Sequence, residues 1–141
     1  KKIIECVPNF SEGRNPENIE KIVAPFRGKK GVKLLDYQTD EDHNRMVVTV
    51  VGEPKGLKAA VIEAVGCAID VIDMRTHQGQ HPRMGATDVV PFIPIKNISM
   101  EAAAEFSKDV ANAVVFLASS AAKHINGYNR AAGRLFGQTH P

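Results

Sequence analysis

Segments with the two-residue period of strands alternate with segments of helical period along roughly the first 100 residues. Four short runs rich in β-branched residues are bounded by glycine, proline or polar clusters, as strands are: "KIIECV", "VKLLDY", "RMVVTVVG" and "DVVPFIPI". One helical segment follows the first run and another follows the third. The predicted order is β-α-β-β-α-β, which is the split βαβ order of ferredoxin-like α+β folds. We therefore expect an antiparallel or mixed sheet with helices on one face.

Both helices have recognisable starts and one apolar face each. In the first, Asn15 is the expected cap, Pro16 takes the favoured first position, and Gly28 and Gly31 end the helix. The second helix runs from about residue 54 to 72. The apolar faces are Ile19, Ile22, Val23 and Phe26 in the first helix, and Leu57, Val61, Ala64, Val65, Ala68 and Val71 in the second.

The segments between and after these elements are less regular. The sequence "NFSEGRN", which follows Pro8, predicts a loop, and "QTDEDHN" predicts an acidic turn between the second and third strands. Pro91 and Pro94 demote the last strand to an edge or a bulge. Ser99 caps an alanine-rich helix, and the sequence leaves open whether that helix continues or "VVFLA" interrupts it as a strand.

Composition excludes several classes of function. The chain has 141 residues, 43% of them hydrophobic, which suits one compact domain. Its net charge is only +2, with 18 basic and 16 acidic residues interspersed, so we expect no nucleic-acid partner. No apolar run is long enough to span a membrane, and no signal peptide is recognisable, so we expect a cytoplasmic protein. Cys6 and Cys67 are far apart, which predicts two reduced thiols.

The sequence "THQGQHPRMGATD" contains two histidines four residues apart. This spacing places two imidazoles on one helix face in some zinc sites. However, no acid directly follows His77, and Gly79 and Pro82 oppose a helix there. We therefore predict no metal site. The remaining interpretations are a catalytic histidine and an ordinary surface turn.

Three segments resemble a known family: "ECVPNFSEGRN", "DEDHNRMVVTVVGEP" and "IDMRTHQGQHPRMGATDVVPFIPI". They are similar to the N-terminal subdomain of glutamate formimidoyltransferase, also called formiminotransferase, which animals carry fused to a cyclodeaminase. The similarity runs in register over about residues 2–106 and is vague after Ala118. Its most specific element is the pattern HxGxHPRxG, which is intact in this chain.

The resemblance implies transfer of the formimino group from N-formimino-L-glutamate to N5 of tetrahydrofolate. Tetrahydrofolate is the co-substrate, and no metal takes part. The histidine before Pro-Arg is the family's catalytic base, which falls on His81 here. An imidazole suits this chemistry, because N5 must lose a proton as it attacks and the departing glutamate nitrogen must gain one.

Polar and flexible residues near the three segments complete the predicted site. Arg45 and Arg83 are candidate clamps for the carboxylates of glutamate and folate, with salt bridges to nearby aspartates as the alternative. One of Asp36, Asp40 and Asp42 is expected to face the formimino group or the pterin, with a solvated hairpin loop as the alternative. The predicted substrate-binding residues are Asn9, Asp40, Arg45, His77, Gly79, Arg83 and Gly85.

The family has a second α/β subdomain, with folate in a tunnel between the two, and this chain ends at Pro141. We expect residues 1–141 to be the N-terminal subdomain alone. Two functions then remain: an active transferase completed by a second copy or a second subdomain, and a non-catalytic folate-binding or structural module. A regulatory amino-acid-binding domain is a weaker third, since it leaves the His-Pro-Arg element unexplained. An exposed sheet edge predicts a homodimer.

Overall fold

The computed structural model describes residues 1–72 and 87–123. These residues form six strands, three α-helices and one 3₁₀ turn. In chain order they are β1 (Ile3–Cys6), β2 (Asn9–Phe10), α1 (Pro16–Val23), the 3₁₀ turn Ala24–Phe26, β3 (Val32–Asp40), β4 (Arg45–Gly52), α2 (Pro54–Val71), β5 (Thr87–Val89), β6 (Phe92–Lys96) and α3 (Met100–Lys123).

Strands β1 and β2 are two parts of one line through the sheet. Both pair with β4 in the same antiparallel register, with Cys6 opposite Val50 and Asn9 opposite Val47. Between them Pro8 has no N–H to donate, but its carbonyl accepts from Val48 N at 3.0 Å. The prediction of a loop directly after Pro8 was therefore wrong. The chain stays in the sheet through Phe10, and the loop begins at Ser11.

Strands β5 and β6 form a second interrupted line, on the other side of β1 and β2. The break falls at Val90 and Pro91, as the prolines predicted, and the line is an edge of the sheet. On the opposite edge, within residues 1–72 and 87–123, β3 pairs with β4 alone. The two interrupted lines and the two long strands thus make four rows, in the order β3, β4, β1–β2, β5–β6. Every pairing is antiparallel, and the predicted ferredoxin-like α+β fold is confirmed.

The hydrophobic core lies between the sheet and the helices. Along β1, β2 and β4 the even-numbered residues are buried and the odd-numbered ones are half-buried, as expected for a sheet with one covered face. Helix α2 buries the predicted face against this surface, and only Val71 at its end stays half-buried. Full burial of each large apolar side chain contributes about 1.5–3 kcal/mol. The largest fully buried side chains of the sheet are Phe10, Ile4, Met46, Val48 and Val50.

The helix starts follow the predicted caps. Asn15 Oδ1 accepts from the backbone N–H groups of Glu17 and Asn18, and Ser99 Oγ accepts from Ala102 N. Helix α3 continues through "VVFLA" to Lys123, which resolves the alternative that the sequence left open. As a result Val115 and Phe116 are 63% and 68% exposed.

Both cysteines are free thiols, Cys6 buried and Cys67 half-buried. Their burial raises the pKa of each thiol above its ordinary value. In the described part of the chain, no helix combines the length and the apolar character that crossing a membrane requires.

Candidate functional site

The helices of the described residues lie on one face of the sheet, and the other, open face holds a row of polar side chains near the β3–β4 turn. Alternation along the strands places Arg45, Val47 and Asn9 on this open face. Register puts Asp40 directly opposite Arg45, and Gln38 opposite Val47. The predicted site residues Asn9, Asp40 and Arg45 are thus brought to one end of one face.

The turn between β3 and β4 is only four residues long, shorter than the predicted "QTDEDHN" segment, because the strands extend to Asp40 and Arg45. Asp40 closes it. Its Oδ1 accepts from His43 N at 3.1 Å, and its Oδ2 lies 2.6 Å from His43 Nδ1. These hydrogen bonds, the backbone one first, hold the pKa of Asp40 below its ordinary value. Asn44 completes the turn with φ of 53°, a left-handed conformation that asparagine tolerates.

The loop between β2 and α1 packs against this turn. Gly13 N donates to Asn44 Oδ1 at 2.8 Å, and a Cβ atom at position 13 would lie 2.6 Å from backbone atoms of Asp40 and Arg45. Arg14 reaches across the turn and donates from Nε to Glu41 O at 2.7 Å. The loop and the turn are therefore held together by backbone contact that only glycine permits.

Glu12 stabilises the loop from within. Glu12 is only 8% exposed, and its Oε2 accepts from the backbone N–H groups of Arg14 and Asn15 at 3.1 and 3.0 Å. Its Oε1 accepts from Asn18 Nδ2 at 2.9 Å. A buried carboxylate with three hydrogen bonds fixes the path of the loop at the start of α1.

An open cleft of about 780 Å³ lies where the loop meets the turn. Its charged lining is mixed, with two arginines and three acidic residues. The lining residues are Gly13, Arg14, Pro16, Ile19, Gln38, Thr39, Asp40, Glu41, Asp42, Arg45 and Val47. A ligand that carries both a carboxylate and a protonated or hydrogen-bonding nitrogen suits such a surface.

The guanidinium of Arg45 is available to bind a ligand in this cleft. It is half-buried, and within residues 1–72 and 87–123 its guanidinium makes no ion pair. The alternative of a salt bridge to a neighbouring aspartate is not realised there, although Asp40 lies opposite. Arg14 differs, because the turn carbonyls already occupy its guanidinium.

The other candidates of the acidic segment occupy distinct places. Asp42 lines the cleft, whereas Asp36 lies further along β3 and accepts from Gln38 Nε2 at 3.2 Å. Asn9 lies beside the cleft, opposite its lining residue Val47, and donates from Nδ2 to Val7 O at 3.1 Å. That one of these three aspartates faces the formimino group or the pterin stays a prediction.

The segment that holds the predicted catalytic base lies outside the described residues. This applies to His77, Gly79, His81, Arg83 and Gly85, whose roles stay predictions. In the two described ranges, no three His, Cys, Asp or Glu side chains are grouped as a metal site would require.

Sequence reasoning missed the residues that build the cleft: Glu12, Gly13, Arg14 and Asn44. The sequence "NFSEGRN" was interpreted as turn formers with only Asn9 in a functional role. The glycine in this loop and the asparagine before β4 were the available signals, since both residue types favour unusual backbone positions. Nothing in the spacing indicates that two segments some 30 residues apart contact each other.

Fold and cleft together define an α+β domain of ferredoxin-like type that offers a polar, small-molecule-sized site on its open sheet face. Comparison with known families is more specific. The family described as "Formiminotransferase domain, N-terminal subdomain" matches residues 3–132, and the chain belongs to that family.

Relatives with assigned names agree with this membership. The chain is 50% identical over 113 residues to a glutamate formimidoyltransferase of Streptococcus pyogenes, a match that covers 80% of this chain and 38% of that protein. It is 38% identical over 112 residues to a Thermoplasma acidophilum glutamate formimidoyltransferase, covering 79% and 37%. With a formimidoyltransferase-cyclodeaminase of Dictyostelium discoideum the identity is 45% over 108 residues, covering 77% and 20%. The chain thus spans less than two-fifths of the length of these curated relatives.

Proposed function

We propose that this chain supplies one wall of a glutamate formimidoyltransferase site, in which a formimino group moves from N-formimino-L-glutamate to N5 of tetrahydrofolate. The observation that carries the proposal is the packing of "NFSEGRN" against "DEDHNR". These two segments of the family pattern meet at one cleft and present Asn9, Asp40 and Arg45 on one open sheet face. Family membership supports the same reaction.

The proposed reaction needs two proton transfers. N5 attacks the formimino carbon, a C–N bond forms, and His81 takes the proton that N5 loses. The bond from that carbon to the glutamate nitrogen then breaks, and His81 returns the proton to the departing amine. One imidazole therefore serves first as base and then as acid, as its range of titration near neutral pH allows.

Electrostatics of the cleft support this assignment. The tetrahedral intermediate of an amidine under attack by an amine carries protonated nitrogen rather than an oxyanion, so nearby carboxylates stabilise it. Asp40 and Asp42 line the cleft. Both substrates also end in carboxylates, and the available guanidinium of Arg45 suits bidentate binding of one of them.

A second candidate function is a folate-binding module without turnover. The described residues form one wall of an open cleft, and the apolar side chains of Ile93 and Ile95 are exposed on β6. An open site excludes water poorly and leaves the second substrate loosely oriented, which favours binding over catalysis.

One experiment separates the two functions. The purified chain is titrated by calorimetry with 5-formyltetrahydrofolate, a stable reduced folate, and the same sample is assayed for formimino transfer to tetrahydrofolate. Binding with turnover supports the transferase, and binding without turnover supports the module. Absence of both contradicts both.

A substitution tests the role of His81. We expect His81→Ala to lower the transfer rate at least about 100-fold, the scale of lost general acid–base catalysis, while the melting temperature stays unchanged. His124→Ala, which removes a histidine outside the three family segments, is the matched control. A collapse of stability in His81→Ala alone would make His81 a structural residue.

A further inference from the structure

The contacts at the β3–β4 turn give His43 a role that the sequence did not suggest. His43 Nδ1 lies 2.6 Å from Asp40 Oδ2. An ionised carboxylate only accepts hydrogen bonds, so Nδ1 carries the proton in this contact. Both side chains are less than half exposed, at 43% for His43 and 44% for Asp40, so solvent screens the pair only partly.

Arg45 competes for the same carboxylate. Residues directly opposite in an antiparallel pair have Cβ atoms about 4.5–5.5 Å apart, close enough for an arginine to pair with an aspartate. In the structure Asp40 instead turns to the imidazole, and Arg45 makes no ion pair in the described part of the chain. A guanidinium that its own neighbour neutralises would bind a substrate carboxylate less well.

We propose that His43 is a positioning residue that holds the Asp40 carboxylate away from Arg45 and so keeps Arg45 available to an anionic ligand. This inference rests on the proposed function, in which Arg45 binds a substrate carboxylate. Without His43, Asp40 would be free to turn towards Arg45, which lies directly opposite it across the strand pair.

The test measures affinity for 5-formyltetrahydrofolate at neutral pH, at which the carboxylates of the folate are ionised. His43→Ala is expected to bind about twofold to fivefold more weakly than wild type, which is the fold-change equivalent to one partly exposed ion pair. His43→Asn keeps a donor nitrogen at the same branch of the side chain, so it should bind nearly as tightly as wild type.

The decisive measurement repeats His43→Ala in a chain that also carries Asp40→Asn. With no carboxylate to compete for Arg45, His43→Ala in this background should change the affinity less than 1.5-fold, by about the error of the titration. If the double variant instead shows the full loss, His43 acts on the ligand without Asp40 and the proposal is wrong.

Arg45→Gln separates this inference from the function on which it rests. Arg27→Gln, at an exposed arginine that is already paired with Glu20, is its control. Loss of binding in Arg45→Gln alone, together with a silent His43→Ala in Asp40→Asn, supports both proposals. Equal binding by Arg45→Gln and wild type, or no binding by wild type, overturns the clamp and the inference together. Loss in Arg45→Gln with an unchanged effect of His43→Ala overturns the inference alone.

Discussion

Adding a single methyl group at Gly13 should crowd the backbone severely and lower the stability of the fold. A Cβ atom there would lie 2.6 Å from Arg45 N, Arg45 O and Asp40 O, about 0.8 Å closer than ordinary van der Waals contact. All three atoms belong to the backbone of a paired strand end, so no side chain can turn away to relieve the crowding. The loop must lift instead.

The cost of this movement has two parts. Crowding in a well-packed region costs about 1–3 kcal/mol, and stretching the 2.8 Å bond from Gly13 N to Asn44 Oδ1 costs about 1 kcal/mol more. We therefore expect Gly13→Ala to lower the free energy of unfolding by about 2–4 kcal/mol. In a chain of this size that corresponds to a melting temperature lower by about 10 °C.

Urea unfolding followed by circular dichroism measures this change, and hydrogen exchange of the amide at position 13 locates it. Gly28→Ala is the matched control, because Gly28 has φ of 75° and nothing within 4 Å of the added Cβ. It should lose only the strain of a left-handed alanine, about 1–2 kcal/mol, and leave exchange at position 13 unchanged. A loss in Gly13→Ala no larger than that in Gly28→Ala, with slow exchange retained, would refute the reasoning.

Three further predictions concern charge, thiols and assembly. The pKa of Asp40 is lowered in the folded chain, so its ionised form adds stability above the unfolded pKa, and that stability is lost as pH falls through the folded pKa. Asp40→Asn should therefore be less stable than wild type at neutral pH and equally stable below about pH 3, as measured by the midpoint of urea unfolding. Cys67 should react with a thiol reagent before Cys6, and both only slowly until the chain unfolds, because burial raises the pKa of each thiol and Cys6 has no exposed surface. Equal rates in the native chain would contradict this. Among the strands that the structure describes, β3 has no partner on its outer edge, which predicts a dimer at micromolar concentration; a sedimentation mass of one chain would exclude it.

The fold was largely predictable because each of its elements has its own local signal. The cap at Asn15, the apolar face of α2 and the prolines of the last strand each predicted a feature that the structure contains. The wrong prediction, a loop at Asn9 and Phe10, arose because turn formers follow at once and outweighed a strand remnant only two residues long. Pairing with β4 and β5 on both sides keeps those two residues in the sheet, which is a tertiary effect.

The candidate site was predictable only in part, for a related reason. Arg45 and Asp40 stand out as charged residues at strand ends, and register makes them neighbours. Gly13 acts through a contact with Asn44, 31 residues away in the sequence, and neither spacing nor periodicity reports such a contact. Nothing in the sequence distinguishes His43 from the other polar residues of the acidic turn, because only the structure shows that its ring nitrogen contacts Asp40.

The backbone of Arg45 is held in place by its neighbours in the fold. Its backbone is paired with β3 on one side and covered by Gly13 on the other, so only the side chain is left to move. A change that lifts the loop should therefore lower stability and ligand affinity together. Glu20, Arg27 and Tyr37 also form a hydrogen-bonded cluster, in which Glu20 and Arg27 are exposed and Tyr37 is half-buried. Arg27→Gln, which removes the ion pair of this cluster, should leave ligand affinity unchanged, which distinguishes a preformed binding surface from general rigidity of the fold.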